Sequence, residues 1–146
     1  MLGGSKDYRY LEHMTDAEIE ASGKTMDEAF ENAGRAVENL MVDLSSVKPK
    51  ETREVQREEK DLGALLYDWI ETLIAFQDDE GLLFSQFNCE ISKSSTGKFL
   101  LRAKLSGEKF DPEKHEQKTA IKAPTFHNMK ISHGRSHVTL RFLVDL

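Results

Sequence analysis

The chain has 146 residues, 38% of them hydrophobic and 32% charged, with a formal net charge of −6. That is enough for one domain with its own core, and the acidic balance argues against a wide phosphate-gripping surface, so little direct nucleic-acid binding is expected. A single cysteine, Cys89, excludes an internal disulfide framework and a Cys-rich zinc site. No apolar run approaches the roughly 18 residues of a membrane span. The first residues lack the apolar core of a signal peptide. A cytoplasmic protein is the expectation.

In chain order, residues 1–6 read as a flexible lead and residues 8–11 as a short strand. Residues 11–23 open with a polar knot, His13 to Asp16. They then alternate Ala17, Ile19 and Ala21 against Glu18, Glu20 and Ser22, the period of a strand with one buried face. Thr25 and Glu28 form a capping box. Met26, Ala29, Phe30, Ala33, Val37, Leu40 and Met41 recur at helical spacing to about Asp43, with Glu31, Arg35 and Glu38 on the polar face. Gly34 inside that helix costs about 1 kcal/mol against alanine, which implies close packing there. Residues 45–50 are a loop, and the charged run 51–60 reads as a solvated edge strand, with disorder as the alternative. Asp61 caps a second helix with a buried stripe from Leu62 to Phe76, stopped at Gly81. Residues 82–91 and 99–105 form a hairpin around the turn 92–97. Residues 107–115 are a loop, and 119–123, 127–132 and 137–146 are further strands. The expected fold is α+β: two amphipathic helices on a mostly antiparallel sheet, in the order strand-helix-strand-helix-strands.

Candidate chemistry is sparse. Asp16 stands at a strand entry, where an aspartate commonly forms a turn or a solvated surface. Asp145 follows the apolar run 142–144, and Leu146 adds a carbonyl and a terminal carboxylate. If the first and last of these strands are neighbours, Asp16, Asp145 and Leu146 form an all-oxygen cluster suited to a hard divalent cation such as Ca²⁺ or Mg²⁺. His13 either orients that carboxylate or is a packed histidine. His133 and His137 have a zinc-like spacing, but hairpin surface is the better reading. Cys89 lies in an alternating run and reads as core filler. Lys114, His115 and Lys122 taken alone are surface charges. No nucleophile elbow, phosphate loop or dinucleotide fingerprint is present.

The blocks Tyr10-Leu-Glu-His-Met-Thr-Asp16, Ala21-Ser-Gly-Lys-Thr-Met-Asp-Glu-Ala-Phe30, Gly107-Glu-Lys-Phe-Asp-Pro-Glu-Lys-His115, Ile121-Lys-Ala-Pro-Thr-Phe-His-Asn-Met129 and the ending Leu143-Val-Asp-Leu146 together resemble the archease family. They run in family order over essentially the whole chain, as one archease-like domain. The resemblance implies a non-enzymatic accessory factor of the tRNA-splicing RNA ligase, one that promotes the ligase's guanylylation and turnover and widens its nucleotide choice. It implies a metal site at Asp16, Asp145 and Leu146, for Ca²⁺ first, with Mg²⁺ or Mn²⁺ as alternatives. It also marks His13, Lys114, His115 and Lys122 as residues that support the site or face the partner. The chain departs from the family at Met14-Thr15, where many members have Thr-Ala, and at Leu146, where isoleucine is common. Two rival classes remain: a general chaperone-like binder and a small metal-dependent hydrolase.

Overall fold

Helix α1 (Met26–Met41) explains the architecture. Thr25 Oγ1 accepts the Glu28 N–H at 3.1 Å, the first half of the expected capping box, while the Glu28 carboxylate reaches one residue further back and accepts the Lys24 N–H at 3.2 Å. Ala29, Ala33, Ala36 and Gly34 keep the helix thin, and all four are buried. A methyl group at Gly34 would lie 3.0 Å from the rings of Phe87 and Trp69. This is the close packing its sequence position implies.

The computed structural model describes residues 7–12 and 15–146. Strands β1 (Tyr8–Glu12) and β2 (Asp16–Gly23) precede α1, and a single 3-10 turn (Leu44–Ser46) follows it. Next come β3 (Glu51–Glu59), α2 (Leu62–Glu80), β4 (Leu82–Lys93), β5 (Phe99–Lys109), β6 (Ala123–His133) and β7 (Val138–Asp145). All pairings are antiparallel. The strands divide into two sheets, ordered β1-β2-β7-β6 and β3-β5-β4. The α+β expectation holds, with the strands shared between two sheets. Helix α1 packs on β2 of one sheet and β4 of the other, and α2 likewise touches β6 and β3.

Being covered on two sides changes α1's polar face. Glu31 accepts the Cys89 N–H at 2.8 Å, and Asp27 accepts the Ile91 N–H at 2.8 Å. These carboxylates seal the free edge of β4, which would otherwise offer unpaired amides to another strand. Arg35 lies 5.7 Å over the Phe87 ring. Glu38, expected on a solvated face, is fully buried. Neither of its carboxyl oxygens has a hydrogen-bond partner. Burial pushes its pKa well above the ordinary carboxylate range, against the opposing pull of the nearby Phe84 amide, which does not reach hydrogen-bond geometry.

The second helix matches its sequence closely. Asp61 Oδ1 accepts the Ala64 N–H at 2.8 Å. Gly81 ends the helix in the left-handed region at φ 64°, where glycine carries no Cβ penalty. Trp69 is fully buried, its indole N–H donating to the Phe30 carbonyl at 2.9 Å. Strand β3 is a charged edge strand, with Val55 its one buried residue. Cys89 is buried, and burial ahead of the charges of Glu31 and Asp27 raises its thiol pKa.

Three expected boundaries move. Helix α1 stops at Met41, because Asp43 turns to cap the 3-10 turn. Strand β5 runs through Gly107, which faces Phe84 beside a bulge; a Cβ there would lie 1.8 Å from the Leu83 carbonyl oxygen. Only residues 110–115 remain of the expected 107–115 loop. Residues 119–122 are not a strand. The amides of Lys118 and Thr119 instead bond the carbonyls of Met41 and Leu40, closing the C-terminal end of α1. Pairing resumes at Ala123, and Pro124 is tolerated because β6 is an edge strand.

Candidate metal centre

Strand β2 pairs with β7 in a register that sets Asp16 directly opposite Asp145. The Leu146 N–H donates to the Thr15 carbonyl at 3.2 Å. That bond joins the residues flanking the pair, so Asp16 and Asp145 form a non-hydrogen-bonded pair. Side chains approach most closely in such pairs, whose Cα atoms stand about 4.5 Å apart. Both carboxylates lie on the sheet face turned away from the core, since Ala17 and Val144, their chain neighbours, are buried.

The same register places Glu18 opposite Leu143 and Glu20 opposite Arg141. Arg141 Nη2 donates to Glu20 at 2.6 Å, and Arg9 binds the same carboxylate at 3.0 Å. The Arg141 and Arg9 hydrogen bonds hold the Glu20 pKa down. This face therefore passes from a neutralised ionic net to a facing pair of acids at its end. Asp145 is exposed and Asp16 half-buried. The Asp145 carbonyl accepts the Lys122 N–H at 2.8 Å. Leu146 packs its side chain on the core, which fixes its main chain beside the two acids.

Like charges directly opposite across a strand pair are destabilising. A cation between them reverses the sign of that contribution. The donor set is all oxygen, which suits a hard divalent ion. Among the described residues no three His, Cys, Asp or Glu side chains gather at one point. A cation here would be held by two carboxylates and main-chain or solvent oxygens.

The remaining sequence-derived candidates fall elsewhere. His13 lies outside the described residues. Lys122 adjoins Asp145 through its backbone and has an exposed side chain. Lys114 and His115 converge instead on Glu108, which is buried in β5. Lys114 Nζ donates to Glu108 Oε1 at 2.8 Å. The Lys48 N–H and His115 Nε2 reach Oε2 at 2.7 and 3.1 Å. Lys50 Nζ stands 3.6 Å away. His115 Nδ1 accepts the Asp111 N–H at 2.9 Å, so Nε2 carries the proton and donates to Glu108. Burial alone would raise the Glu108 pKa, but Lys114, the Lys48 amide and His115 together bring it down to about 2. This cluster ties residues 108–115 to the stretch before β3.

Glu108 was missed in the sequence because it reads as one more loop charge. Its spacing from Lys114 and His115 was visible; its burial was not. Phe126 carries a recognisable signal of an exposed ring, an aromatic two residues after Pro124 with polar neighbours on both sides.

Residues 8–146 match the model of the archease protein family (MTH1598/TM1083). The chain is 45% identical over 139 residues to the protein archease of Sulfurisphaera tokodaii, covering 95% of this chain and 98% of that one. It is 34% identical to the protein archease of Methanosarcina mazei over the full length of both. The solution structure of Methanobacterium thermoautotrophicum protein 1598 superimposes with a TM-score of 0.85 at 34% identity, covering 97% of this chain and all of that one. A Thermotoga maritima protein described as an archease and possible chaperone shares the fold, with a TM-score of 0.59 at 18% identity over 93% of this chain and 94% of that one. By the extent of the family match and the identity of these relatives, the chain belongs to the archease family.

Proposed function

We propose that this protein is a non-enzymatic, cation-binding cofactor that activates the tRNA-splicing RNA ligase, promoting its guanylylation and turnover. Membership in the archease family supports the class of function. The observation that carries the chemistry is the cross-strand pair Asp16–Asp145, two carboxylates set face to face at the end of a sheet. Asp16, Asp145 and the main chain of Leu146 would hold a divalent ion, Ca²⁺ first. Bound there, the ion supplies a positive Lewis-acidic charge that a carboxylate or phosphate of the ligase can share.

The chain's own residues do the positioning. The β2–β7 ladder fixes the two carboxylates, and the side chain of Leu146 anchors the last residue to the core. Activation of a partner requires tighter binding to its nucleotide-competent state than to its resting state. A coupling in the usual range of about 1–3 kcal/mol corresponds to affinities differing by roughly 5–150-fold.

The test is a ligase guanylylation assay with Asp16→Ala and Asp145→Ala. The expected result is loss of stimulation with an unchanged circular dichroism spectrum. Full stimulation by both variants overturns the proposal. The description of the Thermotoga maritima relative as a possible chaperone favours a second reading, a general chaperone-like binder. Metal-independent suppression of aggregation of unrelated proteins, retained by both variants, is the outcome that selects it.

A further inference from the structure

Charge is distributed unevenly along this chain. Acids outnumber cations 26 to 20 overall, yet residues 117–144 contain no aspartate or glutamate and five lysines or arginines. The structure lays that stretch along the edge strand β6, its hairpin and β7. Two of the five are engaged: Lys118 donates to the Asn39 carbonyl and Arg141 to Glu20. Lys122, Lys130 and Arg135 are exposed, and no acid among the described residues pairs with them.

Phe126 sits within this cationic strip. It is 57% exposed, the one large hydrophobic side chain so placed among the described residues. It is not a stray ring. It stacks on Tyr67 of α2 with centroids 4.3 Å apart and planes within 10°. One face of the ring is thus held against Tyr67 while the side chain remains mostly open to solvent. A bulge between Thr125 and Lys130 sets this geometry. There the His127 N–H bonds Thr125 Oγ1 at 3.1 Å, and Asn128 adopts φ 58°. The outer edge of β6 has no strand partner among the described residues, so a ligand running along it can meet groups from both faces.

We propose that the β6 edge is a contact surface for single-stranded nucleic acid. A base stacks on the open face of Phe126, and Lys122, Lys130 and Arg135 meet the flanking phosphates. Aromatic platforms within a cationic track are how sequence-tolerant single-strand sites are built. An acidic peptide would use the cations but leave the flat ring without a matching partner. Glu71, one turn along α2 from Tyr67, opposes a polyanion on that side and keeps the contact weak. Lys122 adjoins Asp145 through its backbone, but the contacts proposed for the strip use neither carboxylate of the facing pair, so it is tested without ligase or metal.

The experiment is fluorescence anisotropy of a labelled oligouridylate of about ten nucleotides at low salt in EDTA, with the matching oligothymidylate to tell an RNA site from one that accepts DNA as well. The expected result is saturable binding. Phe126→Ala weakens it at least about fivefold with an unchanged circular dichroism spectrum, and Phe126→Tyr retains it. Lys130→Gln makes the salt dependence shallower by about 0.7 in log–log slope. Absence of binding at about 1 mM protein, where affinity would fall below the range of non-specific sites, overturns the proposal. So does equal binding by Phe126→Ala, or displacement by polyglutamate as effective as by unlabelled oligonucleotide. Because no ligase is present, failure here leaves the ligase reading untouched, and failure of that reading leaves this one untouched.

Discussion

Two carboxylate sites on this molecule invite comparison. At Glu108 one buried acid is met by two ammonium groups, an imidazole and a backbone amide. At Asp16–Asp145, two acids face each other across a strand pair at a solvent-accessible sheet end. The first site satisfies its charge from within the chain and acts as a staple for residues 108–115. The second sets like charges side by side, where a divalent cation lowers the energy of both. Residue type does not separate a structural acid from a ligand-binding acid here. What separates them is whether the fold gathers cations around the acid or sets a second acid against it. Glu38 is a third case, buried with neither counter-charge nor hydrogen bond, and its burial favours the protonated form.

The largest effect is expected at Glu108. Glu108→Gln removes the charge that Lys114 and Lys50 surround, and lowers unfolding stability by about 3 kcal/mol in a urea titration, as expected for breaking a buried pair. A loss within experimental error would mean that the cluster is not a staple. The wild-type pH dependence follows from the same group. Its folded-state pKa, about 2, lies below the ordinary 4.5, so its contribution is complete above pH 4.5 and is lost as pH falls toward 2. Glu108→Gln flattens the acid limb of the stability curve.

Glu38 has the opposite sign. Its raised folded-state pKa gives a contribution that is complete below the ordinary glutamate value and is lost as pH rises toward the folded-state pKa. Glu38→Met fills the same space without a charge and raises stability at neutral pH by about 2 kcal/mol, within the range measured for burying an unpaired polar group. Thermal unfolding across pH checks this; a destabilised variant would show that an interior group partners the carboxyl.

The smallest effect without metal is expected at the facing acids. Asp16→Asn removes the like-charge opposition and changes metal-free stability by less than about 1 kcal/mol. The comparison sharpens when calcium is added. Wild-type protein gains about 1.4 kcal/mol at ten times the dissociation constant, and Asp16→Asn gains nothing. Equal calcium-dependent shifts in melting temperature for both proteins would remove the cation from this end of the sheet.

Much of the fold was legible in local patterns. Thr25 and Glu28, Asp61 and Gly81 announced the helix ends because capping uses side chains within a few residues of the backbone groups they satisfy. The alternation in β2 and the charge of β3 gave their strands and faces. The Asp16–Asp145 adjacency was legible only as a condition, since nothing in either strand states which strand it pairs with. The false strand at 119–122 arose because the Thr119 amide, beside that of Lys118, closes α1, a partner far away in sequence. Glu38 was misread because helical periodicity reports one buried face, whereas α1 lies between two sheets.

The sequence by itself determined both helices, most of the strands, the caps, the burial of the single cysteine and the family. Each rests on short-range chemistry or on a pattern of blocks along the chain. Tertiary structure alone decided that the strands split into two sheets, that Asp16 faces Asp145, that Lys114 and His115 serve Glu108, and that the acid-poor stretch 117–144 lies along a sheet edge beside the Phe126–Tyr67 stack. Those outcomes depend on which distant groups meet, and the electrostatic role of an acid or a cation is set by the charges that packing places beside it.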